Sequence, residues 1–204
     1  MKELNDMSDE ELWTLFPILL TEHQENWKDL YIQEEEQLRT FVGESIFRIR
    51  HIGSTAVKGL IAKPTIDILL EIKEDTDTEA FIRKIESIGY IYTYQPGKPA
   101  PHMMFMKGYT PQGFKGQAYH LHVRYAGDWD EPIFCHYLQL HPEVARKYGE
   151  LKVELKKRYE HDREHCARNA GNCWSMRRHG FHVVRSETGN QLVGFVPCIA
   201  ISRK

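Results

Sequence analysis

The sequence predicts an α+β fold, and three observations carry that reading. Apolar residues recur at helical spacing near the N-terminus and again between residues 132 and 158. Residues 46–52 alternate as a strand does. Residues 65–72 form a near-continuous apolar run of the kind found in a central strand buried on both faces.

Each element follows from local signals. Ser8-Asp9-Glu10-Glu11 reads as a capping box opening a first helix, with Leu12, Leu15, Phe16 and Leu19 at helical spacing. A second helix is predicted from about Glu25 to Phe41, carrying Trp27, Leu30, Tyr31 and Leu38, with Gly43 ending it. On the strand Ile46–Ile52, Phe47, Ile49 and His51 share one face, and Ile46, Arg48 and Arg50 the other. Thr65–Ile72 is the second strand, and residues 78–88 a helix (Phe81, Ile82, Ile85) capped by Gly89. Tyr90–Tyr94 reads as a strand and Pro96–Pro101 as a loop. Met103–Tyr109 and Gln117–Tyr125 read as strands joined by residues 111–116. The final helical stretch, Pro132 to about Arg158, breaks near Pro142, where a new helix starts with proline in its first turn.

Composition narrows the function classes. A chain of 204 residues suits one domain, or one domain plus an appendage. The formal net charge of -2 provides no global field toward nucleic acid or an anionic membrane, so neither is an indicated partner. No apolar run is long enough to span a bilayer, and the residues from Met1 to Asp6 lack signal-peptide character, so a cytoplasmic location is expected. Cys135, Cys166, Cys173 and Cys198 form no CxxC pair, which argues against a zinc ribbon or a disulfide framework.

After about Glu164 helical periodicity is lost, and the segment holds three of the four cysteines. The expected division is therefore a domain over residues 1–164, including the N-terminal helical segment, and a divergent tail over 165–204. His161, His165, Cys166, Cys173 and His179 lie near or within that tail, at spacings that match no common zinc module. Leu192–Ile201 reads as a strand or simply an apolar terminus.

The chemistry-bearing stretch is His51-Ile52-Gly53-Ser54-Thr55-Ala56-Val57, followed by Lys63-Pro64 and Asp67-Ile68-Leu69-Leu70. Glycine lets the backbone approach a ligand closely. Ser54, Thr55 and the neighbouring N–H groups can then hold phosphate oxygens, particularly if a helix begins there. Asp67 is a candidate ligand for magnesium, a hard cation that takes oxygen donors. Lys63 is placed to neutralise a phosphate as a point charge. His120 and His122 alternate on one strand face and can converge on a metal, a phosphate or a proton in transfer. Arg124 continues that face with a planar fork suited to phosphate. His51 is either a core histidine, given its neighbours Phe47 and Ile49, or a site residue beside the turn. The plainer alternative throughout is a Gly53 that only turns the chain and an Asp67 that only pairs locally.

At these residues the chain resembles the GrpB-like family, an uncharacterised branch of the nucleotidyltransferase superfamily. The resemblance also takes in Gly59-Leu60, Ala62-Lys63-Pro64, Ile66-Asp67-Ile68-Leu69, His120-Leu121-His122-Val123, His141-Pro142-Glu143, Tyr148, and Leu151-Lys152. It extends to Leu12-Trp13, Phe16-Pro17 and Trp27, and runs from about residue 10 to 164. It implies a nucleotidyltransferase-like mixed β-sheet flanked by helices, with a nucleotide and magnesium site at the Gly53–Ser54 turn. Active transferases hold magnesium with two carboxylates two residues apart on one strand face; here Asp67 is followed by Leu69. Glu71 shares the face but lies about 13 Å along the strand, too far to share an ion.

The activity expected from the resemblance is magnesium-dependent transfer of a nucleoside monophosphate from an NTP to a small-molecule or protein acceptor. Gly53, Ser54, Thr55, Lys63 and Arg124 would bind the nucleotide; Asp67 and His122 would hold the ion; Asp67, His120 and His122 would form the catalytic set. The alternative is a module on the same fold that binds a nucleotide or phosphometabolite without turnover, motivated by Leu69. A third expectation is a metal-independent hydrolase or phosphotransferase using His51, His120 and His122.

Overall fold

A computed structural model describes residues 2, 4–93 and 101–159, and the strands 174–177 and 180–183. The first helix, α1 (Asp9–Leu15), starts at the expected capping box: Ser8 Oγ accepts from the Glu11 amide, and the Glu11 carboxylate accepts from the Ser8 amide. Helix α2 (Trp27–Val42) buries Trp27 and Leu38 completely. Gly43 stays right-handed at φ -53°, so the helix passes into a 3-10 turn rather than ending in a left-handed cap.

Strand β1 (Ile46–Ile52) and strand β2 (Thr65–Ile72) fall where the sequence places them. Helix α3 (Thr78–Ser87) is capped by the Asp77 carboxylate, which accepts from two amides, and is followed by Gly89 at φ +90°. Strand β3 (Ile91–Thr93) is short. Strands β4 (Met103–Thr110) and β5 (Gly113–Tyr125) meet in a tighter hairpin than the sequence suggests. Residues 113–116 join the strand because glycines at 113 and 116 take positive φ without steric cost. Helices α4 (Asp130–Leu140) and α5 (Pro142–Tyr159) divide at the expected proline. Two further strands, β6 (Trp174–Arg177) and β7 (Gly180–Val183), pair antiparallel. Residues 94–100, covering most of the Pro/Gly-rich loop, lie outside the described residues. So do His161, His165, Cys166, Cys173, His179 and the stretch 192–201.

The main sheet has the order β1-β2-β5-β4-β3, with β2 and β5 parallel and the other pairs antiparallel. It is a mixed sheet flanked by helices, as expected. Register fixes its two faces. Ile49, Ile66, Ile68, Leu70, Leu121, Val123 and Phe105 form one face and pack with Trp27, Leu38, Phe81 and Ile85 of α2 and α3 in the main core. The other face carries Asp67, Leu69 and Glu71 opposite His120, His122 and Arg124 in β5, and Ile52, Arg50 and Arg48 in β1. A bulge between Ile46 and Arg48 turns Phe47 out of the apolar row, leaving it 59% exposed. Methionines 103, 104 and 106 and Phe105 are all buried. No helix among the described residues is long and apolar enough to cross a membrane.

Candidate functional site

The loop from β1 to β2 turns over the end of Asp67. Gly53 sits at φ +72°, ψ -170°, and a Cβ there would lie 2.5 Å from Asp67 Oδ2. Only glycine allows this backbone conformation and this approach together. Residues Ser54–Ala56 form a single 3-10 turn, so no α-helix begins at the glycine–serine turn itself. Thr55 pins the turn from inside. Its buried hydroxyl donates to the Thr65 carbonyl at 3.1 Å and accepts from His51 Nε2 at 3.0 Å. That leaves Thr55 a structural part in the turn, although its side chain borders the cavity.

His51 belongs to the core face, not to the Asp67 face. It pairs across from Ile68 and stacks on Tyr31, with ring centroids 4.7 Å apart and planes at 11°. Burial pushes its pKa down to about 4. Between pH 6.5 and 4 the unfolded chain therefore binds a proton that the folded chain refuses. Stability is expected to fall by about 3 kcal/mol as pH drops through that window. Urea melts at pH 7 and pH 4.5 would show the loss in wild type and a smaller one in His51→Gln.

Asp67 lies at the centre of the site face. Burial opposes its ionisation, but the imidazoles of His120 and His122 more than offset this and hold the carboxyl well below the usual range. His120 Nδ1 stands 3.0 Å from Asp67 Oδ1 and its Nε2 stands 2.7 Å from the Tyr109 hydroxyl. An ionised carboxylate only accepts, so Nδ1 carries the proton, and burial keeps the ring neutral by lowering its pKa. The Tyr109 hydroxyl therefore donates to Nε2. His122 Nε2 is 3.8 Å from the same Asp67 oxygen and is buried with no hydrogen-bond partner among the described residues.

The second position of the carboxylate strand is filled by Leu69, which is fully buried. Glu71 is spent elsewhere. Arg48 binds it with two nitrogens at 2.5 and 2.7 Å, Arg50 adds a third bond at 2.9 Å, and the Gly127 amide a fourth at 3.1 Å. Arg124 shares the face of Asp67 in register but does not line its cavity. Its Nη1 donates to the carbonyls of Met103 and Val123, and its guanidinium lies over Trp129.

A cavity of about 80 Å³ opens beside Gly53, Ser54 and Asp67, bordered also by Lys63, His120 and Glu131. Helices α4 and α5 close it with Phe134, Cys135, Leu138, Tyr148 and Leu155. Burial pushes the Cys135 thiol up to about 11, so it is an inert wall. The residue that sequence reasoning missed is Lys152. It is 8% exposed, its Nζ donates to Ser54 Oγ at 3.0 Å and to the Ile61 carbonyl, and it stands 4.7 Å from the Tyr148 ring centroid. Burial, with a contribution from the charge of Lys63, pushes its pKa down to about 7. The signal was present: Ala145, Tyr148, Lys152 and Leu155 recur at the spacing of a buried helix face, where a lysine is out of place.

Fold and site thus define an α+β protein with a glycine–serine turn closed over a carboxylate strand and a buried lysine on the serine. The GrpB protein family model matches residues 17–173, and the chain belongs to that family. It is 37% identical over 159 residues to the glutamate-rich protein GrpB of Alkalihalophilus pseudofirmus, covering 74% of this chain and 88% of that one. The crystal structure of GrpB from Enterococcus faecalis superposes with a TM-score of 0.64 at 28% identity, covering 74% of this chain and 91% of that chain. A structure of the Cid1 poly(U) polymerase with magnesium and 3′-dATP aligns at 9% identity and a TM-score of 0.43, over 68% of this chain and 42% of that chain. At that score the likeness decides nothing about this chain.

Proposed function

We propose that the cavity binds the phosphate end of a nucleotide or another phosphorylated metabolite. The observation that supports this reading most is the buried Lys152 ammonium bonded to Ser54 Oγ at the glycine turn, with Lys63 on the same wall. Beyond the effect of burial, Lys63 lowers the pKa of Lys152 and the ionised Asp67 raises it, so both lysines and one carboxylate act on the same small space. A phosphate there accepts from Nζ and from the Ser54 hydroxyl. About 80 Å³ suits one phosphoryl group. Sites for whole small molecules run to about 300–1,000 Å³, so the rest of the ligand lies outside this cavity.

The donors fit a magnesium ion that arrives with phosphate, not one held by protein alone. Among the described residues, no group of three or more His, Cys, Asp and Glu side chains is arranged to hold a metal ion. Magnesium is commonly bound through one or two carboxylates, water and substrate phosphate oxygens. Asp67 supplies one carboxylate, and Glu131 borders the same cavity. His122 Nε2 offers nitrogen, which this hard cation takes poorly. Such an ion would neutralise phosphoryl oxygens.

Nucleotidyl transfer is the second reading, favoured by an Asp67 held ionised within reach of that phosphate. In it, His120 borders the cavity but is bonded at both nitrogens, and His122, which does not border it, acts only through Asp67, 3.8 Å from its Nε2. Pyrophosphate release from the four NTPs across a panel of small-molecule and protein acceptors separates the two readings. Acceptor-dependent release, with the nucleoside monophosphate recovered on the acceptor, that disappears in Asp67→Asn establishes a transferase. Saturable binding with no release at any acceptor leaves the binding module.

A further inference from the structure

A second cleft, of about 180 Å³, shares Lys63, Thr65 and His120 with the phosphate cavity. The segment Pro17–Leu20 crosses both. Ile18 and Leu20 border the phosphate cavity, and Pro17 and Leu19 border the cleft. Backbone bonds of 2.9 and 3.0 Å between Thr21 and Ala62 anchor that segment.

The wall of the cleft is aromatic. Phe114 packs its ring on Phe16 and Tyr109, with centroids 5.1 and 5.2 Å away, yet remains 40% exposed. Leu19, on the same cleft, is 44% exposed. Large apolar side chains left in solvent around one concavity mark a binding surface. Polar readout is sparse there. The Gln117 amide, which borders the cleft, spends its protons on the Pro64 and Ala118 carbonyls.

We propose that this cleft takes the flat organic part of the phosphorylated ligand, a nucleobase or comparable aromatic ring, stacked on Phe114 while the phosphate rests at Ser54, Lys63 and Lys152. The proposal rests on the phosphate reading of the first cavity. Together the two volumes approach the lower end of ordinary small-molecule sites, which neither reaches alone. Stacking is sequence-tolerant because every base has a π-face, so purine and pyrimidine nucleotides are expected to bind within about fivefold of each other.

Calorimetric titration of the full chain with pyrophosphate, ATP and UTP tests this, on wild type, Phe114→Ala and Leu19→Ala. The expected result is that both nucleotides bind about tenfold or more tightly than pyrophosphate. Phe114→Ala should remove most of that advantage and Leu19→Ala part of it, with pyrophosphate affinity unchanged. Circular dichroism at matched temperature checks that the variants remain folded, which Phe114 and Leu19 permit by being partly exposed. Equal binding of nucleotide and pyrophosphate in wild type overturns the cleft while leaving the phosphate site standing. An advantage that survives in both variants does the same. Absence of binding by all three ligands overturns both readings together.

Discussion

Gly53→Ala is expected to lose about 3–5 kcal/mol of stability, among the largest effects any single substitution has, and to abolish ligand binding. The backbone at φ +72°, ψ -170° lies in a region essentially reserved for glycine, at a cost of about 1–3 kcal/mol for other residues. The new methyl also has nowhere to go. It would sit 2.5 Å from Asp67 Oδ2 and 3.0 Å from Asp67 Cβ, and Asp67 is fixed from its other side by His120. Either the turn lifts from β2 or the carboxylate is displaced toward His122. Gly59→Ala is the control. That glycine also has positive φ, +76°, but a Cβ there meets nothing within 4 Å, so about 1–2 kcal/mol is expected from backbone strain alone. Urea unfolding of both variants reads the difference. Equal costs would contradict a turn packed closely on Asp67.

The second large effect separates stability from function. Lys152→Met is expected to raise stability by about 2 kcal/mol at pH 6 while weakening phosphate affinity roughly 100-fold. The gain arises because the fold buries an ammonium whose pKa falls from 10.5 to about 7. Methionine fills similar space without charge; the unpaired Ile61 carbonyl takes back part of the gain. The sign of the pH dependence follows. Between pH 7 and 10.5 the unfolded chain keeps a proton that the folded chain has released, so this group makes wild-type stability rise with pH across that window. The rise should vanish in Lys152→Met. Binding runs the other way: an anion needs the lysine charged, so affinity should fall above pH 7 by up to about tenfold per unit. Denaturant midpoints at pH 6, 8 and 9.5, with calorimetry at the same values, test both halves.

Much of the fold was legible because local signals agreed with the tertiary outcome. The Ser8 capping box, the Thr65–Ile72 strand and the proline break at 142 each have short-range causes, and each appears where those causes place it. Alternation along β5 correctly grouped His120, His122 and Arg124 on one face, and the register with β2 puts Asp67 there too. What alternation does not carry is distance along that face. Arg124 lies four residues beyond the partner of Asp67 and bonds backbone carbonyls instead of facing the cavity. Nor does it carry which face is which for a half-apolar strand, so His51 lay open between core and site until Tyr31 of α2 stacked on it. Lys152 comes from a helix nearly 100 residues after the turn it completes. Only the sheet order and the packing of α5 bring it to Ser54, although a lysine within an apolar helix stripe was a readable warning.

The central claim is that Ser54 and Lys152 hold a phosphate beside Asp67. Titrating triphosphates into wild type and Lys152→Met at pH 6.5, with and without magnesium, tests it most directly. The account predicts saturable binding in wild type, strengthened by magnesium and weakened about 100-fold in the variant, which itself melts at higher denaturant. Binding of equal strength in the two proteins, or no binding in wild type under either condition, would contradict it.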